Sequence, residues 1–106
     1  MKIHYVTKNN AVIAELSGEL DEHSAVSVRE SLDTLLQDLT NNHFVEVIFD
    51  FSKVGFMDST GIGVLLGRYN KFKNYPISFY IKNPSMHIDK ILSMTGIYQI
   101  IPKLVG

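Results

Sequence analysis

Ser59 stands in the stretch Gly55-Phe56-Met57-Asp58-Ser59-Thr60-Gly61-Ile62-Gly63, behind an apolar run and ahead of an amphipathic one. A serine there can act as a nucleophile, accept a phosphoryl group or begin a helix. Nucleophilic catalysis needs a base in hydrogen-bond reach and a third group to orient it. The nucleophile-elbow pattern G-x-S-x-G is broken, because Met57 occupies the position of its first glycine. His4, His23, His43 and His87 lie far apart in the chain, so none is marked as that base and no pair has metal-ligand spacing. Gly61, Gly63 and Gly67 form G-x-G-x-x-x-G, which misses the dinucleotide fingerprint by one residue, and no Walker Lys-Ser/Thr follows. Gly63 and Gly67 fall one helical turn apart on the flank of Ser59 and suggest close packing or docking rather than a phosphate cradle. Helix N-caps favour Asp and Ser, so the local reading of Ser59 is a cap. A helix start also offers free N–H groups and a positive dipole end, so a phosphate on Ser59 would be accommodated without unfolding.

These residues need elements to hold them. Ile3–Val6 and Ala11–Leu16 read as strands around the turn Lys8-Asn9-Asn10. Gly18-Glu19-Leu20-Asp21 leads to a helix beginning near His23 or Ser24. Over residues 24–40, Ala25, Val28, Leu32, Leu35, Leu36 and Leu39 form an apolar stripe, with Glu30, Asp33, Gln37 and Asp38 opposite. Residues 44–51 are nearly continuous in hydrophobicity, as in a central strand buried on both faces. Residues 52–57 read as a loop or a second short extended piece. A second helix is expected from Ser59 to about Lys73, with Ile62, Leu65, Leu66, Tyr69 and Phe72 on one face and Arg68, Lys71 and Lys73 toward its end. Tyr75-Pro76 ends it. Ile77–Ile81 is a strand. Asn83-Pro84-Ser85 opens a third helix with Met86, Ile88, Ile91, Leu92 and Met94 apolar and Gly96 as its stop. Ile100-Ile101 is at most a short edge strand. The order β-β-α-β-α-β-α-β implies an α/β fold with a mixed, mostly parallel sheet and helices packed on it.

Composition narrows the classes. One domain is expected from 106 residues, and 45% hydrophobic with 20% charged content suits a globular core. A net charge of −1 with mixed signs argues against nucleic acid as a partner. No run of about eighteen apolar residues exists, so no membrane span is expected, and the polar Thr7–Asn10 stretch is unlike a signal peptide. Zero cysteines exclude disulfides, thiol catalysis and thiolate metal sites. A cytoplasmic setting follows by default.

Gly18-Glu19-Leu20-Asp21, the run from Phe56 through Tyr69, and Met94-Thr95-Gly96 together resemble the anti-sigma factor antagonists of the STAS family, and in particular its sporulation branch. The likeness spans nearly the whole chain, and the F-M-D-S-T-G core is its most specific part. The resemblance implies a STAS fold and a partner-switching protein that is a substrate rather than an enzyme, with no cofactor. The unmodified antagonist would bind an anti-sigma factor that is itself a serine kinase of the GHKL type, freeing the sigma factor. That kinase would phosphorylate Ser59, and a metal-dependent PP2C-like phosphatase would reverse it. By position, Met57, Asp58, Thr60, Gly61, Ile62 and Gly63 would flank the acceptor in the docking face. Glu19 and Asp21 would meet the kinase beside them, and Val64 would project away from the sheet as an apolar contact. The family's final helix is expected to be short or absent here. Two other readings are an interaction domain with no phosphorylation cycle and a small nucleotide-binding protein.

Overall fold

Asn9 takes a left-handed conformation (φ 57°) and closes a two-residue turn, so Lys8 pairs with Ala11. This is the hairpin expected from the sequence, found in a computed structural model that describes residues 1–105. Its strands are β1 (Lys2–Lys8) and β2 (Ala11–Leu20). Helix α1 (Ala25–Asn41) leads to β3 (Glu46–Met57), α2 (Ser59–Phe72) to β4 (Ser78–Lys82), and α3 (Met86–Thr95) to a 3-10 turn at Ile97–Gln99.

The strands lie in the order β1-β2-β3-β4, the first pair antiparallel and the others parallel. Each crossover steps the same way across the sheet. Crossovers of one hand that step in one direction place their helices on one face. Burial follows that rule. Val12, Ala14, Leu16, Val47, Phe49, Phe51, Phe79 and Ile81 are buried, together with Leu32 and Leu36 of α1, Leu65 and Phe72 of α2 and Leu92 of α3. The alternate residues Val6, Ile13, Ile48 and Tyr80 stand in one cross-strand row on the other face and keep contact with solvent. The sheet is therefore packed on one side only. This differs from the reading of 44–51 as a strand enclosed on both faces.

The stretch 52–57, open in the sequence between a loop and a second short extended piece, is extended and continuous with the strand before it. Two register shifts between β2 and β3, at Glu15/Ser17 and Gly18/Glu19, insert extra residues into β3. Each bulge resets which side chain faces inward, so Phe51, Val54 and Met57 are buried at intervals of three rather than two. A period of three carries no strand signature.

Other boundaries move for local reasons. His43 is left-handed (φ 63°) and redirects the chain before β3, so Phe44 and Val45 fall outside the strand. Helix α3 buries Ile88 and Leu92, with Ile91 partly covered, while Met86 and Met94 are 90% and 77% exposed. Its contact stripe is thus narrower than its apolar count suggests. At the edge of β4 the added segment lies beyond Ile100-Ile101. The Ile81 N–H donates to the Pro102 carbonyl at 2.9 Å, the Leu104 N–H donates to the Ile81 carbonyl at 2.8 Å, and Lys103 bridges Ile81. Pro102 has no N–H, so it can only accept there. No further helix occurs after Gln99 among the described residues.

Arg68 and Asp33 are also re-placed. Arg68 is 8% exposed and its Nε lies 2.7 Å from Asp33 Oδ1, with Lys71 Nζ 3.2 Å from Asp33 Oδ2. Helices α1 and α2 therefore meet through charge as well as through leucines.

Candidate functional site

Parallel β2 and β3 end side by side, with Leu20 opposite Met57. The chain turns from there into the starts of α1 and α2, so both loops share one end of the sheet. Asp58 is extended (φ −125°, ψ −175°) and is the N-cap of α2: its Oδ1 accepts the Gly61 N–H at 3.0 Å. Its carbonyl accepts the Ile62 N–H at 3.1 Å, and its own N–H donates to the Leu20 carbonyl at 3.4 Å. Asp58 Oδ2 accepts the Glu22 N–H at 3.4 Å and ties the two loops together. Ser59 is the first helical residue rather than the cap expected for it. The acid before it already holds the capping position, and its longer reach satisfies Gly61.

Two of the first four helix N–H groups are thereby engaged, leaving those of Ser59 and Thr60. The Ser59 side chain is exposed, and its hydroxyl enters no hydrogen bond among the described residues. Thr60 and Gly63 are exposed beside it.

The loop before α1 is held differently. Asp21 Oδ1 accepts the N–H groups of His23 and Ser24 at 3.0 and 3.1 Å. Ser24 Oγ accepts the Asp21 N–H at 3.1 Å and donates to the Glu19 carbonyl at 2.8 Å. Burial opposes ionisation of Asp21, but the N–H donors of Ser24 and His23 outweigh it and hold the carboxyl below the usual aspartate value. At 6% exposure Asp21 organises this loop from within, and Glu19, Glu22 and His23 are its exposed side chains.

The other expected contact residues divide by burial. Met57 and Ile62 are 3% and 7% exposed and lie under the site. Val64, expected to project outward, is 2% exposed. Helix α2 packs against both the sheet and α1, which buries a wider arc than one stripe and takes in Val64. Gly61 has a specific reason to be glycine: a Cβ there would drive into the Leu20 carbonyl oxygen and side chain. Among the described residues nothing lies within 4 Å of a Cβ built at Gly63 or Gly67, so close packing is not what those two provide. Phe56, part of the F-M-D-S-T-G core but not among the expected contact residues, pairs with Glu19 across β2 and β3 and is 45% exposed. Its signal was faint because the bulges hide the strand it belongs to. Among the described residues no three His, Asp or Glu side chains converge as a metal-binding group, and no helix is long and apolar enough to cross a membrane.

A family model described as STAS domain matches residues 2–105. The chain belongs to the STAS-domain family. This STAS domain is 33% identical over 104 residues to a Paenibacillus polymyxa protein named anti-sigma F factor antagonist, covering 96% of this chain and 85% of that relative. It shares its fold with the solved anti-sigma factor antagonist SpoIIAA in its unphosphorylated form (TM-score 0.69, 23% identity, 99% and 89% of the two chains covered). The phosphorylated form of SpoIIAA, a Bacillus cell fate determinant, superposes with a TM-score of 0.67 at 24% identity, covering 98% and 92%. The family and the mixed sheet with its element order are thus as the sequence implied.

Proposed function

We propose that this STAS domain is an anti-sigma factor antagonist whose docking is gated by phosphorylation of Ser59. In its unmodified form it binds an anti-sigma factor and releases the sigma factor. The anti-sigma factor is a serine kinase of the GHKL type that phosphorylates Ser59, and a PP2C-like phosphatase restores the hydroxyl. The domain is a substrate in this cycle and catalyses no step. One observation carries the reading: the Ser59 hydroxyl is exposed and unengaged while Asp58 caps the helix. Phosphorylation would therefore break no bond that holds the fold.

The docking surface comprises Ser59, Thr60, Gly63, Asp58, Glu19 and Phe56, supported from below by Met57, Gly61, Ile62, Val64 and Asp21. Phosphate adds nearly two negative charges beside Asp58, Glu19 and Glu22. The free N–H groups of Ser59 and Thr60 and the helix dipole stabilise that charge within the domain. A partner surface fitted to the neutral hydroxyl meets charge and bulk instead. A hundredfold loss of affinity requires only ~2.7 kcal/mol.

The test is incubation with ATP and the cognate anti-sigma kinase, followed by intact mass. One added phosphate that disappears in Ser59→Ala is the expected result. Ser59→Ala should bind the kinase persistently and Ser59→Asp about a hundredfold more weakly. Stable binding that ignores Ser59→Asp, with no phosphate added, would replace this reading with an interaction domain lacking a phosphorylation cycle.

A further inference from the structure

Strand β1 forms one edge of the sheet, and among the described residues only β2 pairs with it. In an antiparallel pair, alternate residues of an edge strand direct both their N–H and C=O outward, so Lys2–Lys8 presents an unfilled hydrogen-bonding row. Beside this edge a cleft of about 450 Å³ opens between β1 and α1. Ile3 and Tyr5 form its strand wall, Val28 and Leu35 its apolar floor, and Ser31 and Glu30 its helix wall. Glu30 is the one charged side chain on that lining. A free strand edge alongside a groove under a helix is the geometry into which an extended peptide adds as a further strand. Its main chain fills the edge and alternate side chains enter the groove.

We propose that this cleft takes an extended peptide segment of a partner protein. Groove-facing positions of the segment are aliphatic, with one lysine or arginine opposite Glu30. Charge and pairing select this occupant over a second copy of the chain. Full-length antiparallel self-pairing about Tyr5 would set Lys2 opposite Lys8 at both ends of the strand, and like charges directly opposed disfavour it. A heterologous segment meets no such repulsion, and a cation in it complements Glu30. The cleft is lined by β1 and α1, whereas Ser59 begins α2, so occupancy of this groove does not depend on the Ser59 cycle.

The probe is a seven-residue capped peptide of alternating threonine and valine with lysine in place of the central valine. Its control carries glutamate at that centre. Backbone amide NMR should show shifts confined to β1 and the facing side of α1, with new exchange protection at alternate β1 amides. The lysine peptide should bind more tightly than the control, and Glu30→Lys should reverse that order by about fivefold. Ser31→Trp, a substitution at an exposed helix position, should fill the cleft and remove binding without unfolding the chain. Ser59→Asp should leave binding unchanged. Shifts scattered outside β1 and α1, or equal binding of both peptides to the chain and to Glu30→Lys, would overturn the proposal. Protection of the same amides that grows with protein concentration alone, accompanied by a doubled mass, would assign the edge to a second copy and overturn it as well.

Discussion

Helices α2 and α3 each have a serine at the start, the first residue of one and the cap of the other, and the two serines are used in opposite ways. Ser85 is extended (φ −61°, ψ 162°), precedes α3 and accepts the Ile88 N–H at 3.3 Å. Ser59 sits one position later relative to its helix, behind Asp58, which caps in its place. One hydroxyl is engaged in holding a fold and the other is unengaged at the surface. The difference is a single residue of register. An acid directly before a serine takes the capping position and leaves the serine available, which is what a reversible modification site needs if the fold is to survive the change.

The sharpest way to break that comparison is to unseat α2. At Gly61 a methyl group would press into the Leu20 main chain, which cannot yield without moving β2. Gly61→Ala should therefore cost about 3 kcal/mol, read as a lowered urea midpoint. Under the proposed cycle, this variant should be phosphorylated poorly even where it remains folded, because the loop carrying Glu19–Ser24 shifts with Leu20. A midpoint within experimental scatter of the parent would show that α2 can slide, and that its seat on β2 does not position Ser59.

Next in size are the caps themselves. Asp58→Ala loses the acceptor of the Gly61 N–H and the tie to Glu22, and Ser85→Ala loses the acceptor of the Ile88 N–H. Each should cost about 1 kcal/mol or somewhat more. Ser59→Ala should change stability by less than ~0.5 kcal/mol, as for an exposed side chain without partners. Equal losses at Ser59 and Ser85 would erase the distinction between them. Rescue of Asp58→Ala by serine at 58 would confirm that capping is the property lost.

The third helix start extends the comparison to pH. Asp21 has its carboxyl held below the usual range by N–H donors despite opposing burial. Asp89 is likewise lowered, first by the Tyr98 hydroxyl at 2.6 Å and then by Lys103 at 3.0 Å. A carboxylate with a depressed folded-state pKa adds stability that is present above the ordinary aspartate range and is lost as pH falls through the folded value. Urea midpoints taken from pH 6 down to pH 3 should therefore fall, and fall less steeply in Asp21→Asn, which keeps an acceptor for His23 and Ser24 but does not titrate. An unchanged slope would mean that Asp21 is not the group coupling this loop to acid.

The sequence was legible where one residue type has one local consequence. Apolar spacing marked α1, Gly96 marked the end of α3 with φ 77°, and Asn9-Asn10 marked the hairpin. It was illegible where two chain segments decide jointly. The bulges of β3 exist only relative to β2, so 52–57 stays open between loop and extended piece in the sequence, and Phe56 carries no sign of its exposure beside Glu19. Val64 is buried because α1 closes over α2, and Arg68 because Asp33 waits on that helix. Ser59 is exposed, and the capping position that its type suggests belongs to Asp58. Asp and Ser both cap well, and only the backbone conformation of Asp58 separates them.

That distinction also fixes the smallest effect. Gly63 lies one turn into α2, on the exposed side next to Ser59, with open space where a Cβ would stand. Glycine in a helix interior is worth up to ~1 kcal/mol less than alanine, so Gly63→Ala should raise the unfolding midpoint. If Gly63 serves the proposed docking, the same methyl should weaken kinase binding while leaving Ser59 exposed. Stability and affinity would then move in opposite directions, a pairing that neither a damaged fold nor a neutral surface change produces. A gain in stability with affinity unchanged would remove Gly63 from the docking surface and narrow it to Thr60, Asp58, Glu19 and Phe56 around the hydroxyl.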